Sequence, residues 1–205
     1  DPEKIIVYDL EVFPGWFMAG FMYPNGQYLQ FVFVDYVDCS ASLKSLHDHL
    51  NWWSSIGFTL AGFNSERYDD RVLSEFLRDP QTVTAYRISV DIIVNQIKPW
   101  KFAKDFESID LMPLLPGRIG LKKVGVCLGH HRLQELPIPW DKTPTQEEQR
   151  ILAGYNLNDL EITRKLLLEV KKDLTLRGHL SEVYGVDLRS KGDATMAEGI
   201  LLAEP

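Results

Sequence analysis

Ile5-Ile6-Val7-Tyr8-Asp9-Leu10-Glu11 opens the chain with four apolar residues that run into two acids flanking a leucine. Residues 4–10 read as a strand. In a strand, residues i and i+2 share a face, so Asp9 and Glu11 project together from the sheet. Carboxylates that close repel, and both stay ionised at neutral pH only with positive charge between them. A divalent cation suits such hard oxygen donors. Taken alone, Asp-x-Glu more often ends an ordinary solvated strand, so its meaning rests on partners elsewhere in the chain.

Outward from this stretch, Pro14-Gly15 supplies a turn into a second strand, Trp16 to Tyr23. Pro24-Asn25-Gly26 supplies a tighter turn into a third, Tyr28 to Val37. The three form an antiparallel meander. Ser40 reads as the N-cap of a helix to about Trp53, and Phe58 to Phe63 as a fourth, buried strand. Val72, Leu73, Phe76 and Leu77 have helical spacing, and a further helix is expected from Ser89 to Ile97. Phe106 to Leu111 reads as a fifth strand. After Pro113, Pro116 and Gly117 comes a short helix, Leu121 to Leu128. Residues 129–144, with Pro137, Pro139 and Pro144, read as a loop. Thr145-x-x-Glu148 is a capping box that opens a helix to roughly Leu174. Helical patterns at His179 to Tyr184 and Ala194 to Leu202 follow. A meander followed by alternating helices and strands predicts an α/β or α+β fold with one mixed sheet.

The 205 residues suffice for one substantial core, and a hydrophobic content of 45% with 11% aromatics indicates an ordered globular chain. No apolar run approaches the ~20 residues of a membrane span, and no signal-peptide layout is visible. Cys39 and Cys127 are too few for a disulfide framework or a cysteine zinc site, and a reducing interior suits them. A net charge of −7 argues against coating long stretches of nucleic acid, but not against gripping a short strand end. Beginning at Asp1-Pro2 and stopping at Ala203-Glu204-Pro205, the chain reads as a domain excised from something longer.

Further carboxylates lie at three places. Asp69 ends Asn64-Ser65-Glu66-Arg67-Tyr68-Asp69, between a buried strand and a helix, where an Asp is also a good N-cap; Asp70 competes for either role. Tyr155 and Asp159, four apart, share one face of the long helix, either as a core tyrosine beside a solvated acid or as a joint site where helix meets sheet. Asp110, at the end of the fifth strand, reads as structural.

In order and separation, these segments resemble the DEDD, or DnaQ-like, family of 3′–5′ exonucleases in its tyrosine subclass. Asp9-Leu10-Glu11 is similar to the first family motif, Asn64-x-x-x-Tyr68-Asp69 to the second and Tyr155-x-x-x-Asp159 to the third. Ser108-Ile109-Asp110-Leu111 followed by Leu121-Lys122-Lys123-Val124 resembles the proofreading domain of phage-type family B DNA polymerases. The likeness covers roughly residues 4–172. Two positions depart from it: Val12 stands where Thr often follows the first-motif Glu, and Arg132 is the nearest basic residue where a functional Lys is common.

The resemblance implies an α/β, RNase H-like fold, with a mixed five-stranded sheet flanked by helices over residues 1–175. Residues 176–205 would form a helical extension towards a covalently linked polymerase region. It implies two divalent cations, Mg²⁺ or Mn²⁺, on Asp9, Glu11, Asp69 and Asp159, with Asp9 between them and Tyr155 orienting the attacking water. The expected activity removes 5′-mononucleotides from single-stranded or frayed DNA 3′ ends, in the cytoplasm of a phage-infected bacterium. An RNA-directed enzyme and a non-catalytic nucleic-acid-binding module are the alternatives. Phe13 and Tyr68 are the stacking candidates, although Phe13 equally suits a core; Asn64 and Arg132 are the polar ones. His130-His131 lacks further suitably spaced ligands and is not read as a zinc site.

Overall fold

The computed structural model describes residues 2–117 and 119–203; Asp1, Arg118, Glu204 and Pro205 lie outside them. Strands β1 (Ile5–Phe13), β2 (Trp16–Met22) and β3 (Tyr28–Val34) form the expected antiparallel meander. Gly15 (φ 70°) and Gly26 (φ 88°) supply the left-handed backbone at its two turns. β4 (Thr59–Gly62) pairs parallel with β1, and β5 (Ser108–Asp110) parallel with β4, so the sheet order is β3-β2-β1-β4-β5. A mixed, open five-stranded sheet flanked by helices results, and it is compatible with an RNase H-like fold.

Strand alternation divides the interior in two. Ile6, Tyr8 and Leu10 of β1 join Phe17, Ala19 and Phe21 of β2 in a core with α1 (Ser40–Ser55), α2 (Asp69–Arg78) and α3 (Thr82–Ile93). Phe76 of α2 lies 4.3 Å, centroid to centroid, from Phe17 and 4.7 Å from Phe33. On the opposite face, Ile5 and Val7 pack with Leu160, Leu166 and Leu167 of α5 (Gln146–Glu169) and Val124 of α4 (Leu121–Cys127). Further along that face, Phe13, Trp16 and Met18 close a smaller core with Leu152 and Ile138. Asp9 and Glu11 therefore interrupt an apolar stripe that runs from Ile5 and Val7 to Phe13.

The α5 cap is as expected: Thr145 N donates to Glu148 Oε2 at 2.9 Å and Glu148 N to Thr145 Oγ1 at 3.3 Å. Several boundaries differ from the sequence reading. Ser40 is the first residue of α1 and Cys39 stands at its cap, so the Ser40 side chain does not cap the helix. α3 begins at Thr82 instead of Ser89. Pro80 separates it from α2, and Thr84 Oγ1 bonds Asp79 at 2.5 Å across the break. The long helix stops at Glu169, and after Val170 the chain restarts as α6 (Lys171–Tyr184). The division at 175/176 thus falls inside α6. The chain beyond it packs back on the sheet: Leu188 is buried, and Asp110 N donates to Ser190 Oγ at 3.0 Å. α7 (Asp193–Ala203) ends the described chain. Among the described residues, no helix is long and apolar enough to cross a membrane.

Candidate functional site

Asp9 and Glu11 face α5, and the residues of α5 that meet them are Tyr155, Asn156 and Asp159. Three segments converge here: β1, the start of α2 with Asp69, and the middle of α5. Glu11, Asp69, Tyr155 and Asp159 are buried and Asp9 is half-buried. Burial pushes the Asp9 carboxyl well above the ordinary range, and the charge of Asp159 adds to the rise. Burial does the same to Glu11, reinforced by Asp9, Asp159 and Asp69. Asp69 is raised by burial and then by Asp9. Asp159 is raised by burial, which the Asn158 amide, the Tyr155 hydroxyl, Lys122 and His130 oppose. The four acids form one electrostatic unit that resists full ionisation without added positive charge.

The geometry separates Asp69 from its neighbour. Asp69 is the first residue of α2, Tyr68 occupies the cap, and no side chain caps the helix. The alternative of Asp69 as an N-cap is therefore not what the fold uses, although an acid in the first turn still suits the helix dipole. Asp70 points into the other core. Tyr8 Oη donates to it, as do Ser108 Oγ at 2.6 Å and Lys104 Nζ at 2.8 Å. Asp110 is spent on the backbone: Oδ1 accepts from Asn64 N at 2.8 Å and Met112 N at 3.0 Å, and burial lifts its carboxyl to about 6.

Among the proposed substrate contacts, Asn64 adopts left-handed backbone (φ 60°) and lines, with Tyr68, a 750 Å³ cavity that opens onto Asp9 and Asp69. The Tyr68 hydroxyl bonds Ser89 Oγ at 2.7 Å. Phe13 is only 1% exposed and its ring lies 6.0 Å from that of Trp16. Its core reading is the one that fits, which leaves little of it for stacking on a base. Arg132 is exposed in the loop after α4 and lines neither the 750 Å³ cavity nor the 240 Å³ cavity beside Glu11. Lys122 acts on Asp159 as a nearby positive charge; its Nζ lies 5.9 Å from the centre of the Tyr155 ring and pairs with Glu135 at 2.7 Å.

Two residues of the site carried signals that a reading by motif passes over. Asn156 is fully buried, and its Nδ2 donates to Asp9 Oδ2 at 2.8 Å and to Asp9 O at 3.3 Å. It sits on the apolar stripe between Leu152 and Leu160, where a polar residue signals an internal partner. Gly20, opposite Asp9 across β1 and β2, is a glycine within an otherwise apolar strand, the usual mark of a close approach.

The donor set consists of hard oxygens with mutually opposed charges, which fits a divalent cation such as Mg²⁺ or Mn²⁺ by its chemistry. Among the described residues, no group of three or more His, Cys, Asp or Glu side chains is already disposed to hold a metal ion. Asp9 is instead engaged by Asn156, and Asp159 by Asn158 and Tyr155. No protein-family model matches the chain, and no curated protein matches it.

Proposed function

We propose that the chain is a metal-dependent 3′–5′ exonuclease domain of the DEDD type, acting on single-stranded or frayed DNA ends. The observation that carries this reading is the grouping of buried Glu11, Asp69 and Asp159 with half-buried Asp9, where neighbouring acids raise the carboxyls of Asp9, Glu11 and Asp69, and with Tyr155 against Asp159. A buried cluster of acids has no value to stability, since burial of like charges costs free energy. Asp9, Glu11, Asp69 and Asp159 would hold the cations, which when bound polarise a phosphodiester and lower the pKa of water.

The other residues then have separate tasks. Burial and the Asp159 charge raise the Tyr155 hydroxyl far above an ordinary phenol, so it stays protonated and orients by hydrogen bonding instead of acting as a base. Asn156 fixes the rotamer of Asp9, and Lys122 supplies positive charge near Asp159 for a phosphate. The 750 Å³ cavity, lined by Arg67, Tyr68, Ile93 and Lys98 as well as Asp9 and Asp69, gives a strand end a route to the acids. A polymerase region linked to the chain, as in phage-type family B enzymes, belongs to the same proposal and rests on the sequence resemblance.

Incubation of a 5′-labelled single-stranded DNA with Mg²⁺ or Mn²⁺ tests the reading. Stepwise shortening from the 3′ end is expected, and Asp9→Ala with Glu11→Ala should abolish it while circular dichroism stays native. Undiminished digestion by the double mutant rejects the assignment.

A further inference from the structure

His130 contributes to no step described above, yet its side chain is fully buried. Its Nε2 lies 2.9 Å from Asn158 Oδ1, and Asn158 Nδ2 lies 3.3 Å from Asp159 Oδ1. The backbone holds the imidazole in place through His130 N, which donates to Gly125 O at 2.8 Å. Donor and acceptor roles follow from the far end of the chain. Asn158 Nδ2 donates to Asp159, so the same amide turns its Oδ1 towards the imidazole. Nε2 must then carry a proton. The remaining nitrogen, Nδ1, is buried with no hydrogen-bond partner among the described residues. In the Nε2–H tautomer, Nδ1 is a bare acceptor. The opposite tautomer would bury a bare N–H and set two acceptors against each other at 2.9 Å, which costs more. Glu161 Oε2, 4.0 Å from Nε2, is beyond hydrogen-bonding distance.

We propose that His130 is a positioning residue, whose Nε2–H orients the Asn158 amide so that Asn158 in turn holds the Asp159 carboxylate in its working rotamer. The consequence for activity rests on the exonuclease reading; the hydrogen-bond chain itself does not. Partners that orient a ligating side chain typically alter metal affinity or activity by about 10–100-fold when removed.

Long-range ¹H–¹⁵N spectra of the histidine-labelled protein at pH 8 test the chain directly. The expected result is a proton on His130 Nε2, with signals that move in Asn158→Ala. Protonation at Nδ1 alone, or signals indifferent to Asn158→Ala, overturns the proposal. In digestion assays with Mn²⁺, His130→Leu should lower kcat by about 10–100-fold with little change in KM for the oligonucleotide. His130→Gln, which retains an N–H donor, should recover most of the loss. Equal losses in the two variants mean a packing role only and reject the positioning role. An inactive wild-type protein rejects the exonuclease reading, and the spectra still decide the tautomer.

Discussion

A Cβ on Gly20 would stand 1.9 Å from Oδ1 of Asn156. No flexible side-chain end relieves that overlap cheaply, because the Asn156 amide is held on its other side by Asp9. Gly20 thus keeps open the space through which α5 reaches the first acid. Gly20→Ala is expected to destabilise the fold by about 1–3 kcal/mol, the usual range for overpacking, and to slow digestion by turning Asn156 away from Asp9. Urea unfolding and kcat on a DNA oligonucleotide measure the two effects; a variant with native rate and stability contradicts this account of Gly20.

Asp9→Asn should raise the melting temperature of the metal-free protein at pH 8 while abolishing digestion. The folded-state pKa of Asp9 is raised, so its contribution favours the fold below the unfolded carboxylate pKa and is lost as pH rises through the folded value. At pH 8 the wild type bears the like-charge repulsion that the amide lacks. Calorimetry at pH 8 and pH 4 should show the gain only at the higher pH, and Mg²⁺ or Mn²⁺ should stabilise the wild type and not the variant.

Asp69 and Asp70 are adjacent in sequence and should behave oppositely. Asp70→Ala strands the Tyr8 hydroxyl, Ser108 Oγ and the Lys104 ammonium in or near a core, and a loss of about 3–5 kcal/mol is expected. Asp69→Asn should remove activity with stability unchanged or improved at pH 8. Paired denaturation curves and digestion assays separate the two, and a reversal of roles contradicts the site as described.

Asp110→Asn keeps an acceptor for Asn64 N and Met112 N, since both bonds go to one oxygen, and any loss at the Glu66 N–H, which also bonds the carboxyl, applies at every pH and leaves the slope intact. Burial lifts the Asp110 carboxyl to about 6, so the wild-type fold is favoured at pH 4 and loses that advantage as pH rises to 7. The variant should gain on the wild type by roughly 2–3 kcal/mol over that interval, from about 1.4 kcal/mol per pKa unit. Denaturation midpoints at pH 4 and pH 7 check the slope; a constant difference between the proteins contradicts it.

Much of this architecture is legible along the chain because it is local. Alternation in β1, the glycine turns and the Thr145/Glu148 cap depend on residues within a few positions of each other. Boundaries that depend on packing were less legible. The apolar run over 89–97 looks helical, yet the helix starts at Thr82, because Pro80 and the Thr84–Asp79 bond decide where the chain can turn. The pause at Val170 is equally hidden, since Leu166, Leu167, Val170 and Leu174 continue one apolar pattern across it.

By itself, the sequence determined the strand order of the meander, the spacing of Asp9, Glu11, Asp69, Tyr155 and Asp159, and which elements carry them. Strand and helix periodicities follow from backbone geometry, so one residue's facing predicts the next. Only the tertiary structure decided that Asp69 meets the acids while Asp70 serves the opposite core, that Phe13 is sealed beside Trp16, and that Asn156 bonds Asp9 across the close approach at Gly20. These outcomes depend on which sheet face each helix covers and how near it comes, and long-range packing alone sets both.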